Sequence, residues 1–169
     1  MLELPVLPTI LLNVAAWLAI HLGVSFGSSR LPLSWFRPEG WLFRTRRWER
    51  GGKLYRGLFG IRVWKRFLPD GAAFFRSGFR KRRLPTRSPG YCRRFVLETC
   101  RAELCHWLVF GLVPLFFIWN PWYVAWPMVP YAILANAPCI AAQRYNRPRL
   151  ASLAERGLPA DGARSREAC

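Results

Sequence analysis

The motifs that betray most enzyme classes are missing from this chain. There is no GxGxxG, no P-loop and no HExxH, and neither histidine is followed by the HxxxxD pattern of a large class of soluble and peripheral acyltransferases. Nucleotide cradling by a glycine-rich loop and zincin chemistry therefore have no support. Acidic residues are scarce as well, 9 against 26 Lys and Arg, leaving a net charge of +17. The 5 cysteines, at positions 92, 100, 105, 139 and 169, form no CxxC pair and no zinc-ligand spacing with either of the 2 histidines. Free thiols are expected, with no disulfide framework and no metal.

Lys and Arg are themselves absent from long stretches. None occurs in the first 29 residues or from Ala102 to Gln143; 20 lie between Arg30 and Arg101, and 6 from Arg144 onward. A nucleic-acid module would carry such a charge on a soluble surface, whereas this chain is 52% hydrophobic and holds 9 tryptophans. Charge-free apolar blocks alternating with basic blocks are the mark of a membrane protein, and no nucleic-acid partner is expected.

The apolar blocks predict an all-α integral membrane protein with three transmembrane helices. Val6 to Phe26 is an uncleaved N-terminal anchor, because the chain opens without the positive n-region of a signal peptide. Residues 104–119 and 122–142, broken at Asn120-Pro121, form a helical hairpin. Two crossings return the chain to its starting side, so the basic loop 27–103 and the basic end from 143 share one face. That face is expected to be cytoplasmic in a bacterial cell membrane, with the N-terminus outside. Residues 1–150 make a single domain, and 151–169 a flexible tail. Gly111, Pro114, Pro127, Pro130 and Pro138 predict interrupted helices, consistent either with a cavity in the hairpin or with kinks that serve packing. Within the loop, Trp35, Phe36, Trp41, Phe43, Trp48 and Trp64 alternate with arginines and predict interfacial amphipathic helices; the cationic run Arg76 to Gly90 is expected on the surface.

One polar cluster stands at the mouth of the hairpin. ETCRAELCHW, Glu98 to Trp107, runs directly into LVFGLVPLFFIW. Ionisable groups are costly at such a depth and mark a working site. At about 100° per residue, Thr99, Glu103, His106 and Phe110 share one helix face, and Glu98, Arg101 and Cys105 another. Glu103 stands three residues before His106, near enough to orient the imidazole, and Glu98 stands likewise before Arg101. Folding the hairpin at Asn120-Pro121 sets His106 level with Asn136 and Glu98 level with Gln143. Asn136, Gln143, Arg144, Tyr145, Asn146, Arg147 and Arg149 then face the cluster. This set suits acyl transfer: His106 as base, Glu103 behind it, and Arg101, Asn136 or Gln143 at the oxyanion. The competing reading has Glu103 and Arg101 neutralising buried charge against Arg144 or each other. Asn13 and His21, inside the first span, suit packing or interhelical hydrogen bonds.

At these residues the chain resembles the glycosyl-4,4'-diaponeurosporenoate acyltransferases of bacterial carotenoid biosynthesis. The stretches that carry the likeness are ETCRAELCHW at 98–107, ANAPCIAAQRYNRPRL at 135–150, the looser WERGGKLYRGLFGIRVWKRFLPDG at 48–71, and SRLPLSWF at 29–36. Order and spacing agree from about residue 5 to residue 150. The resemblance implies an integral membrane enzyme that esterifies a sugar hydroxyl of a glycosylated carotenoid, or of a related glycolipid, with a fatty acyl group. An acyl thioester, acyl-CoA, is the expected co-substrate, with no bound cofactor; membrane lipids, the glycolipid acceptor and the fatty acyl donor are the expected partners. The alternative is a non-catalytic lipid-binding or assembly protein that grips anionic headgroups with its basic loop.

Overall fold

The computed structural model describes residues 5–57, 60, 61 and 88–156, and every regular element among them is helical. Helix α1, Val6–Arg30, has 25 residues, or about 37 Å at about 1.5 Å each, more than the ~30 Å of a bilayer's hydrocarbon core. It stops where Leu31 turns extended, the conformation demanded of a residue that precedes proline, here Pro32. Leu7, Ile10, Leu11, Val14, Leu18 and Leu22 stay largely uncovered along it. Such an aliphatic surface suits lipid and not water.

The chain then forms a connecting strap: a single 3₁₀ turn at Leu33–Trp35, a longer 3₁₀ segment at Arg47–Gly52, and the short helix α2, Lys53–Gly57. Trp35, Trp41 and Trp48 project outward from this strap, while Phe36 is buried with its ring 5.9 Å from that of Phe43. Gly52 is required where it stands. Its φ of +87° disfavours any side chain, and a Cβ there would come within 3.2 Å of the Tyr145 carbonyl oxygen. The strap thus reaches the last helix backbone to backbone. Residues 62–87, which include most of the cationic run and Trp64, lie outside the described residues.

Helix α3, Pro89–Gly111, starts fifteen residues before the expected span, with Ser88 Oγ accepting from the Tyr91 amide at 3.4 Å and Pro89 in the first turn. After a 3₁₀ turn at Val113–Leu115 come α4, Phe116–Trp119, the Asn120-Pro121 turn, α5, Trp122–Ala125, and α6, Met128–Arg156. Helical structure breaks beside Pro114 and Pro127 but runs on through Pro138 and Pro148. The helix also continues past residue 150 to Arg156, because Leu150 packs on Phe95 and Val96 of α3 and Ala154 is buried. Residues 157–169 lie outside the described residues.

Three stretches are long and apolar enough to cross a membrane: Val6–Arg30, Pro89–Trp119 and Trp122–Arg156. The last two lie antiparallel, with His106 against Asn136 and Thr99 against Arg147. Trp17 of α1 enters their core, in contact with Val109, Val113, Phe116 and Ala132. At the turn, Asn13 and Asn120 exchange amide hydrogen bonds of 3.0 and 2.8 Å, and Trp119 Nε1 donates to Asn13 Oδ1 at 3.0 Å. Asn13 therefore has the interhelical role expected of it. His21 packs its ring against those of Trp17 and Tyr131, which also touch each other.

Candidate functional site

The polar cluster assembles because α3 and α6 present arginines and carboxylates at matching heights. Glu103, with no exposed surface, accepts from Arg144 Nε at 2.7 Å on one oxygen and from Arg147 at 2.5 Å on the other; Trp107 Nε1 adds a bond of 3.2 Å. Arg144 and Arg147 sit three residues apart on α6 and so flank a single carboxylate. Each then reaches onward to the strap. Arg144 donates to Glu49 Oε1 at 2.8 Å and to the Leu42 carbonyl at 2.7 Å, and Arg147 donates to the Phe43 carbonyl and to Thr99 Oγ1 at 3.1 Å.

Glu49 is also fully buried, and its Oε1 takes the Arg46 amide at 3.1 Å, closing the start of the 3₁₀ segment. Two carboxylates and two guanidiniums make this network neutral. Neutrality matters because an uncompensated charge at this burial would cost several kcal/mol. Nearby, Tyr55 is buried in the strap, and its hydroxyl is pushed up to about 12, first by burial and then by the Glu49 carboxylate.

Arg101 and Glu98 form the expected pair, at 2.6 Å. The same guanidinium donates to the Ser29 carbonyl at 3.2 Å, at the last turn of α1. A cation there complements the helix dipole and ties α1 to α3. This pair lies on a different face from Glu103, as the helical spacing required.

His106 is half-buried, and its Nδ1 lies 3.0 Å from Asn136 Oδ1. The Asn136 amide is itself fixed, because its Nδ2 donates to the Ala132 carbonyl at 3.0 Å. Its oxygen therefore faces the ring, and the tautomer that completes this hydrogen bond is the one with the proton on Nδ1. A neutral imidazole held in this way carries its lone pair on Nε2. The level pairing of residues 106 and 136 follows from the hairpin, but the orienting group is Asn136, since both Glu103 oxygens bond to Arg144, Arg147 and Trp107. Further from the turn the register slips: Glu103 meets Arg144, and Thr99 meets Arg147. Long arginine side chains reach across several residues of helix, which counting backbone positions does not capture.

Of the remaining residues on α6, Tyr145 is buried and receives a close hydrogen bond from Arg149, while Asn146 is half-buried. Gln143 stands two turns from Asn136 on the same stripe, since seven residues bring a helix nearly back to the same angle. Its Oε1 is buried and accepts no hydrogen bond from any described residue. A buried acceptor left unfilled costs about 1–3 kcal/mol, which a bound substrate would recover. Sequence reasoning did not single out Glu49, Thr99 Oγ1 or the Leu42 and Phe43 carbonyls. The usable signal was Glu49, one carboxylate set among Arg46, Arg47, Arg50 and Lys53.

A family model described as glycosyl-4,4'-diaponeurosporenoate acyltransferase matches residues 34–156, a stretch that holds all of these site residues. A protein of Staphylococcus haemolyticus (strain JCSC1435), named glycosyl-4,4'-diaponeurosporenoate acyltransferase, is 40% identical over 141 residues, covering 83% of this chain and 81% of its own. A protein of the same name from Staphylococcus aureus (strain bovine RF122 / ET3-1) is 35% identical over 138 residues, covering 81% and 82%. No solved structure matches the chain.

Proposed function

The chain belongs to the glycosyl-4,4'-diaponeurosporenoate acyltransferase family, and on that premise we propose that it is a membrane acyltransferase that carries a fatty acyl group from a thioester to a sugar hydroxyl of a glycosylated carotenoid or related glycolipid. The observation that supports the chemistry is the imidazole of His106, fixed by Asn136 in the tautomer a general base needs. Nε2 takes the proton of the acceptor hydroxyl as its oxygen attacks the thioester carbonyl carbon. The tetrahedral intermediate collapses with cleavage of the C–S bond. The imidazolium then returns its proton to the departing thiolate, so the products are an ester and a free thiol.

Gln143 is the group assigned to the substrate on α6. Its amide nitrogen is a donor for the oxyanion, and its unfilled Oε1 is an acceptor for a substrate N–H or O–H. Glu103 acts at one remove: by holding Arg144 and Arg147 it fixes α6 against α3 and so keeps Asn136 level with His106. Arg101 and Glu98 do the same for the end of α1. Tyr145, Asn146 and Arg149 form the rim on α6. The acyl chain lies along the apolar faces beyond His106, toward the Asn120-Pro121 turn. An orientation with the N-terminus outside and the C-terminus cytoplasmic is supported by the 26 basic residues, all of which follow the first apolar block and avoid the hairpin core.

Removing a general base costs on the order of 10²–10⁴ in rate. His106→Ala is therefore expected to lose ester formation in isolated membranes by that factor at unchanged protein level, read by mass spectrometry of the lipid extract. Full activity in this variant would remove His106 from the mechanism.

A further inference from the structure

A cleft of about 710 Å³ opens between the strap and the far ends of α3 and α6, away from His106. Its walls carry Arg44 and Glu39 from the strap, Arg93 and Leu97 from α3, and Ser152 and Glu155 from α6. Arg147 also lines the cleft but is held by Glu103, whereas Glu39, Arg44, Arg93 and Glu155 are ion-paired with no other described residue. In a chain with 9 carboxylates and a net charge of +17, two unpaired carboxylates on one cleft set it apart from a plain anion trap. The walls offer strong donors and strong acceptors together.

We propose that this cleft binds the nucleotide head of a coenzyme A thioester, the acyl donor of the reaction assigned to His106. The inference rests on that reading and adds the site of donor recognition. Three properties of the cleft select this ligand. Arg44 and Arg93 match phosphate groups, while Glu39 and Glu155 match ribose hydroxyls and the adenine amine, which carboxylates accept and a bare phosphate cannot supply. The volume is that of a nucleotide-sized site, since pockets for such ligands run about 300–1,000 Å³. Leu97 lies nine residues from His106 on the same helix, a rise of about 13 Å. An extended pantetheine arm covers that span and sets the thioester beside the imidazole. Gln143 lies between the two levels on α6, so its unfilled Oε1 meets the amide N–H groups of that arm.

The test uses the full chain in lipid nanodiscs. Coenzyme A and adenosine 3',5'-bisphosphate bind saturably in the absence of acceptor, and the bisphosphate competes with acyl-CoA for ester formation. In Arg44→Glu/Arg93→Glu, both exposed positions, the ratio of kcat/KM for acyl-CoA to that for the matching acyl-pantetheine falls at least tenfold. Ser152→Trp, which fills the cleft without changing charge, lowers the same ratio. Unaltered ratios in both variants, or transfer from an acylated carrier protein or a phospholipid with no binding of coenzyme A, overturn the cleft assignment and leave acyl transfer standing. Saturable coenzyme A binding that both variants abolish, with no ester formed from any donor, upholds the cleft and sinks the proposed reaction.

Discussion

The two ends of the α3–α6 hairpin solve one problem, holding polar groups among apolar helices, with opposite chemistries. At the turn, Asn13, Asn120 and Trp119 join α1 to the hairpin through neutral amide and indole groups alone. At the open end, Glu103, Arg144, Arg147 and Glu49 join α3, α6 and the strap through full charges. A reciprocal amide pair satisfies its own donors and acceptors and needs no counter-charge, so it tolerates lipid. An ionic network is costly to bury, and it occurs here where the basic strap closes over it. The difference separates a latch from a clamp: the amides set where α1 crosses, while the ion pairs set the height of α6 on which the His106–Asn136 contact depends.

That contrast makes predictions of graded size. The largest concerns the clamp. Glu103→Ala leaves two buried guanidiniums without their shared carboxylate and is expected to cost about 3–5 kcal/mol, read from unfolding in detergent micelles. Activity falls with it. A loss no larger than that of an exposed substitution such as Trp41→Ala would break the distinction between the two ends.

The latch is expected to be weaker. Asn13→Leu leaves Asn120 Oδ1 and Trp119 Nε1 without their partner, while Asn120 Nδ2 keeps the Phe116 carbonyl, and should cost about 0.6–2 kcal/mol, the range for hydrogen bonds between membrane helices. Adding Asn120→Leu should recover part of that loss, because it removes the orphaned amide oxygen and leaves only the Trp119 indole without its acceptor. If the double variant is less stable than the sum of the single ones, the latch is more than a reciprocal pair.

A smaller effect sharpens the picture of the clamp through pH. The Tyr55 hydroxyl, at about 12 in the folded chain against 10.0 ordinarily, favours the fold in its neutral form. Its contribution is complete below pH 10 and is lost as pH rises from 10 toward about 12, as the tyrosine ionises more readily once unfolded. Tyr55→Phe should flatten the alkaline decline in stability over that window. An unchanged decline would mean that neither burial nor the Glu49 carboxylate raises the Tyr55 hydroxyl.

Much of the architecture was legible because it is written in runs. The charge-free stretches, the Asn120-Pro121 break and the basic blocks required three apolar helices with a closed hairpin, and helix geometry then set residue 106 level with residue 136. The start of α3 was not legible, because Arg93, Arg94, Glu98 and Arg101 interrupt the apolar signal although Cys92, Phe95, Val96 and Cys100 on the inner face are buried. Nor was the partner of Glu103. Spacing along α3 made His106 the obvious neighbour, but two arginines from another helix offer a carboxylate charge-assisted bonds that a half-buried neutral imidazole does not.

The amino-acid order alone determined what each segment could endure: apolar runs of this length have few stable places outside a bilayer, and paired ionisable groups beside them had to meet. Only the tertiary structure decided who pairs with whom. It gave Glu103 to the arginines, His106 to Asn136, and Glu49 from a distant strap to Arg144. Side-chain reach and the drift of register between antiparallel helices act across space, and no periodicity within a single helix records them.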